Sequence, residues 1–184
     1  MKKMLALVLA LMMLGIGAAM AESTETAGEE QPQEKTLAVS GSFDITIELP
    51  AGYQMTKEVS DGLLYAEIFS EETDVSYTLA VAYSEELSEQ DDLTKMTQEQ
   101  FEQFVSVIAA DYAAPETRVY ETSHGTRLLF IHETAGEESG YGMLLTVYQN
   151  YVISLYMLDT VNPLSEEEIQ TGVDLLSELW FVEK

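Results

Sequence analysis

Apolar and polar residues alternate along several stretches of the chain, and the period of that alternation changes from one stretch to the next. Phe43, Ile45, Ile47 and Leu49 are separated by Asp44, Thr46 and Glu48. A period of two predicts a strand with one wet face, because successive side chains of a strand point to opposite sides. Pro50-Ala51-Gly52 is expected to stop it. A second strand is expected over residues 63–69. A third is expected over 75–83, where Val75, Tyr77, Leu79, Val81 and Tyr83 share one face.

The period then lengthens. Phe101, Phe104, Val105 and Ile108 recur at helical spacing behind Thr97 and Gln100, which form a capping-box pattern. This predicts a helix over 98–112, closed by Pro115 because proline cannot donate to the backbone ladder. Four further strands are expected over 118–122, 126–132, 141–149 and 151–158. Ser123-His124-Gly125, the glycine-rich stretch 136–140 and Asn150 read as turns. Leu128-Leu129-Phe130-Ile131 and the run 152–157 are apolar on both faces, so they need cover on both sides of the sheet.

A second capping box, Ser165 with Glu168, opens the closing helix, and Leu164 is placed to staple onto Ile169. That helix presents Ile169, Val173, Leu176 and Leu179 and is expected to end at Trp180-Phe181. Glu166, Glu167 and Glu168 suit the positive end of its dipole. The pattern predicts an α+β fold. It is a mostly antiparallel sheet of about six or seven strands with helices on both faces, an α/β/α sandwich.

The opening strand running into Pro50-Ala51-Gly52-Tyr53, the single helix after the first strands, and the long hairpin followed by a closing helix carry a resemblance. In this order of elements the chain resembles the PsbP-like superfamily, whose members include small exported bacterial proteins. The resemblance covers most of residues 41–184. It implies an α/β/α sandwich acting as a non-enzymatic binding or accessory subunit, and it supplies no catalytic residues.

The N-terminus changes the address. Lys2 and Lys3 precede an apolar run from Leu5 to Ile16, and Ala19-Met20-Ala21 offers small residues at both positions that a signal peptidase reads. Residues 1–21 are therefore expected to be a cleavable signal peptide, because the apolar run is shorter than the ~20 residues that span a bilayer. The mature chain is expected to begin at Glu22. Residues 22–40 are acidic and poor in apolar side chains, which predicts a disordered tether, with a single α+β domain over 41–184. The expected location is extracytoplasmic, either extracellular or periplasmic. The sequence contains no cysteine, so there is no thiolate, disulfide or cysteine-linked lipid anchor.

Charge then narrows the partners. Without Lys2 and Lys3, 6 basic residues face 33 acidic ones, a formal charge of −27. Nucleic acid and anionic membranes repel such a chain. A protein or envelope component, or weak divalent cations, remain as partners.

Candidate chemistry is sparse. The two histidines, His124 and His132, have no further ligand at hairpin or helical spacing, so neither is assigned to a metal. Gly-x-Ser-x-Gly and phosphate-binding loops do not occur, and Tyr53 with Lys57 matches a dehydrogenase spacing without its glycine fingerprint. Asp91, Asp92 and the donors from Asp159 through Asn162 and Ser165 to Glu168 lack calcium-loop spacing and are better explained as caps. Six tyrosines fall in strands (Tyr77, Tyr83, Tyr141, Tyr148, Tyr151 and Tyr156), and those left exposed suit a glycan or a peptide. The expectation is a non-catalytic extracytoplasmic binding or accessory module, with no catalytic residue, metal or cofactor assigned. The rivals are a polymer hydrolase with paired carboxylates and an acidic cation-binding surface protein.

Overall fold

The computed structural model describes residues 31–38, 43–60, 63–83, 85, 87, 92–93, 95–110, 115–121, 127–133, 140–148, 150–177 and 179–183. The expected signal peptide and residues 22–30 lie outside these, as do Asp91 and His124. No helix among the described residues is long and apolar enough to cross a membrane.

In chain order the described elements are β1 (Gln33–Ala38), β2 (Phe43–Leu49), β3 (Tyr53–Ser60), β4 (Leu63–Ser70), β5 (Val75–Tyr83), α1 (Gln98–Ala109), β6 (Pro115–Glu121), β7 (Arg127–Glu133), β8 (Gly140–Tyr148), β9 (Tyr151–Asp159), α2 (Glu166–Ser177) and β10 (Trp180–Glu183). The fold is α+β and mostly antiparallel. Seven strands form one sheet in the order β3-β4-β5-β9-β8-β7-β6, and β1-β2-β10 form a second. The molecule is richer in strand than the six or seven expected, for three local reasons.

First, the tether is corrected at its C-terminal end. Residues 33–38 are strand β1, paired with β2 from Gln33↔Leu49 to Ala38↔Asp44. Leu37 is the anchor, buried in the same cluster as Ile45, Ile47 and Leu49. One apolar residue suffices because the pairing also satisfies the backbone of a polar segment. The folded domain therefore begins at or before Gln33, not at 41.

Second, Pro50-Ala51-Gly52 does not end the local strand structure but redirects it. Gly52 takes a positive φ of 81°, and the Tyr53 amide donates to the Pro50 carbonyl at 3.2 Å. The turn sends the chain from β2 into β3, at the edge of the other sheet. Gln54, Thr56, Lys57 and Glu58 leave β3 without an apolar period to predict it by, but an edge strand needs few apolar groups.

Third, both helices are shorter than expected. α1 ends at Ala109, and Pro115 opens edge strand β6 rather than closing a helix; an edge is where a residue without N–H is tolerated. α2 ends at Ser177, and the chain from Trp180 pairs with β2 (Trp180↔Thr46, Phe181↔Ile45), so Trp180-Phe181 belong to a strand. Both capping boxes form. Thr97 Oγ1 accepts from the Gln100 amide at 3.3 Å while Gln100 Oε1 accepts from the Thr97 amide at 2.9 Å. Ser165 and Glu168 do the same at 3.3 and 2.6 Å.

The seven-stranded sheet sorts its side chains by parity into two buried clusters. Val75, Tyr77, Leu79 and Val81 of β5 and Ile153, Leu155 and Met157 of β9 join Leu128, Phe130 and Leu144. This first cluster also holds Ile45, Ile47 and Leu49 of β2 and Ile169, Val173, Leu175 and Leu176 of α2. The alternate residues form the second cluster: Ala80, Ala82, Leu129, Ile131, Met143, Leu145, Val147, Val152 and Tyr156. With them lie Leu87, Leu93, Met96 and α1's Phe101, Phe104 and Ile108. The runs that read as apolar on both faces, 128–131 and 152–157, thus divide their side chains between the two.

Candidate ligand-binding site

The second cluster is not closed along its whole length. Leu87, Leu93, Met96 and Phe101 share this cluster with Val147, Val152 and Ala82, and two hydrogen bonds bring the first two of them to the β8–β9 turn end. The Leu93 amide donates to the Val147 carbonyl at 3.3 Å, and Asn150 Nδ2 donates to the Leu87 carbonyl at 2.5 Å. Arg127 reinforces this end. Its guanidinium donates to the Met96 carbonyl at 3.3 Å and lies 5.3 Å from the Phe101 ring centroid.

Toward the other end, the same sheet face opens. Register places Tyr65, Ala80 and Ser154 in one row across β4, β5 and β9, with Glu67, Thr78, Tyr156 and Met143 in the next. Phe69, Ser76, Leu158 and Tyr141 form the row beyond. In that last row Leu158 is 44 % exposed and the other three are half-buried; Tyr65 and Thr78 are half-buried as well, and Glu67 is exposed.

Three hydroxyls stand out within these rows. The oxygens of Tyr65, Ser154 and Tyr156 are buried without a hydrogen-bond partner among the described residues. Ser154 is 1 % exposed and Tyr156 is 8 % exposed. Burial raises the Tyr156 pKa; the nearby Ser154 hydroxyl opposes this and Tyr65 adds to it. Ser154 is thus near enough to act on the phenol, yet no hydrogen bond of acceptable geometry joins the two oxygens. Burial also raises the Tyr65 pKa. A buried hydroxyl left unpaired costs about 1–3 kcal/mol, and such groups call for a water or ligand to complete them. Ala80 makes room for the arrangement. With strands about 4.8 Å apart, Tyr65 and Ser154 are separated by about 10 Å across a lone methyl group.

The neighbouring rings add flat apolar surface. Tyr141 stacks on Tyr156 with centroids 6.3 Å apart and planes inclined by 28°. No Lys or Arg occurs in these three rows. Their carboxylates are exposed Glu67 and, paired with Tyr65 where the first row continues onto β3, exposed Glu58. Those two acids are diagonal neighbours on one sheet surface.

The other sequence candidates are accounted for as structure. Asp159 Oδ1 accepts from the amides of Val161 and Asn162 at 2.7 and 2.8 Å, which lowers its pKa. Glu168 Oε2 is occupied by the Ser165 amide and hydroxyl. Asp92 is buried. His132 lies in β7 with its ring 6.1 Å from Phe130. Tyr53 and Lys57 fall on an extended strand, about 13 Å apart at 3.3 Å per residue, so they do not form the helical pair their spacing mimics. Among the described residues no group of three or more His, Asp or Glu side chains is placed to hold a metal ion.

Of the strand tyrosines, Tyr77 and Tyr151 are buried in the first cluster, Tyr83 is 48 % exposed, and Tyr141 and Tyr148 are half-buried. Sequence reasoning missed Tyr65 and Ser154. The available signal was a lone serine inside the apolar run 152–157. No family model matches the chain, and no curated protein matches it significantly.

Proposed function

We propose that the protein is an extracytoplasmic, non-catalytic binding module, exported by cleavage after Ala21, that takes its ligand on the open part of the second cluster. In this reading the domain is an α/β/α sandwich of the PsbP-like kind, with α1 and α2 on opposite faces of the seven-stranded sheet. The observation that carries the proposal is the trio of buried, unpartnered hydroxyls of Tyr65, Ser154 and Tyr156 beside half-exposed rings. A fold that bears such a cost without an internal partner has a use for those groups, since apolar replacements of the same shape are readily reached.

A ligand that binds only the native state raises its stability. The exported protein should therefore melt at a higher temperature in envelope extract of the producing cell than in buffer of equal ionic strength. Tyr141→Ala should abolish the difference. A wild-type shift of zero, or one that Tyr141→Ala leaves intact, would remove this face as the binding site.

A further inference from the structure

We infer that the open face recognises an uncharged saccharide, with the hydroxyls of Tyr65, Ser154 and Tyr156 meeting sugar hydroxyls and the rings of Tyr141 and Phe69 meeting the sugar's C–H face. This rests on the binding-face proposal and names its ligand class. A phenol or serine hydroxyl both donates and accepts a hydrogen bond, and so does each hydroxyl of a sugar. The groups that the fold buries without partners here are all of that type. An anionic ligand would need a cation, and none stands in the three rows. A cationic ligand would call for a desolvated carboxylate, whereas Glu67 and Glu58 are both exposed. A pyranose ring is itself amphipathic, with C–H bonds on its faces and hydroxyls at its edge. The face repeats that division: Tyr141 stacked on Tyr156, half-buried Phe69 and Leu158 at the rim, hydroxyls further in.

Calorimetric titration of the exported protein with maltotetraose, cellotetraose and chitotetraose, and separately with tetralysine, tests the assignment. At least one uncharged tetrasaccharide should bind with an affinity that hardly changes from low to high salt. Tyr156→Phe, which keeps the ring and removes only the hydroxyl, should weaken that binding about tenfold, the equivalent of one net hydrogen bond. Tyr141→Ala should weaken it at least as much, and Tyr83→Ala, an exposed tyrosine outside this face, should leave it unchanged. Binding of tetralysine alone, lost at high salt, overturns the saccharide in favour of a cationic ligand. Failure of all three saccharides also overturns it. If the melting shift in envelope extract persists in that case and still depends on Tyr141, the binding face stands and only its ligand class is wrong. An effect of Tyr83→Ala equal to that of Tyr156→Phe would place saccharide binding elsewhere.

Discussion

Tyr77 and Tyr156 are both buried tyrosines of the seven-stranded sheet, and they are treated in opposite ways. Tyr77, in the cluster that contains α2, donates its hydroxyl to the Glu168 carbonyl at 3.0 Å and packs its ring 6.0 Å from Tyr53. Burial pushes its pKa well up, and its hydrogen bond holds the first turn of α2 to the sheet. Tyr156, in the cluster that contains α1, is nearly as deeply buried and has no partner. The first cluster receives strands of a second sheet as well as a helix, and Tyr77 finds its partner on that helix, although the Thr146 hydroxyl on the same face is buried without one among the described residues. The second receives one helix together with Leu87, Leu93 and Met96. The difference teaches where to look for function in a chain of this kind: the face left incomplete gathers the buried unpaired hydroxyls of Tyr65, Ser154 and Tyr156, where the closed face shows only that of Thr146 among the described residues.

The largest expected effect breaks the closed end of the second cluster. Phe104→Ala removes a side chain that is 2 % exposed between Phe101 and Ile108 and should cost about 3–5 kcal/mol. Gln103→Ala, on the exposed side of α1, should cost almost nothing. Chemical denaturation measures both, and equal losses would mean that the helix phase is wrong.

The next effect sharpens the comparison itself. Tyr77→Phe deletes a satisfied hydroxyl and should destabilise the protein by about 1 kcal/mol. Tyr156→Phe deletes an unsatisfied one and should leave stability unchanged or raise it by about 1 kcal/mol. Opposite signs in urea unfolding support the contrast. A loss for Tyr156→Phe as large as that for Tyr77→Phe would show that its hydroxyl is in fact satisfied in the free protein.

The smallest effect is an acid one on the α2 side. Asp159, which caps the turn leading to α2, and Glu166, paired with Arg118 at 2.7 Å, both have pKa values lowered, by backbone amides and by the guanidinium respectively. A carboxylate whose folded pKa is depressed adds stability that is present above its unfolded pKa and lost as pH falls through the folded value. Protection of the α2 amides, taken relative to the intrinsic exchange rate at each pH, should therefore fall below about pH 4. Asp159→Asn, which keeps an acceptor but cannot be protonated in that range, should flatten part of that acid limb. Unchanged acid sensitivity in this variant would exclude Asp159 as a contributor.

Much of the fold was legible because its signals are local. The strands over 63–70 and 75–83 follow from a two-residue period, and the starts of α1 and α2 follow from Thr97/Gln100 and Ser165/Glu168, whose partners lie three residues away. The hairpin of β8 and β9 was readable from two strand patterns flanking Asn150. β1, β3 and β10 were not readable, since each depends on a partner supplied from elsewhere. Polar β3 is held by β4, while β1 and β10 flank β2 from opposite ends of the described chain.

By itself the sequence determined the charge of the chain, the absence of cysteine, the phase of both helices and the parity of the central strands, because each is written in single residues or near neighbours. The tertiary structure alone decided which apolar face met which cover, and that Tyr65 and Ser154 stand in one row across Ala80. It also decided that the Tyr77 hydroxyl meets a carbonyl 91 residues away while the Tyr156 hydroxyl makes no hydrogen bond among the described residues. The reason is one of range. A strand's period says which side chains share a face, but the partners on that face come from strands and helices distant in the chain, and only their packing settles which polar groups are satisfied.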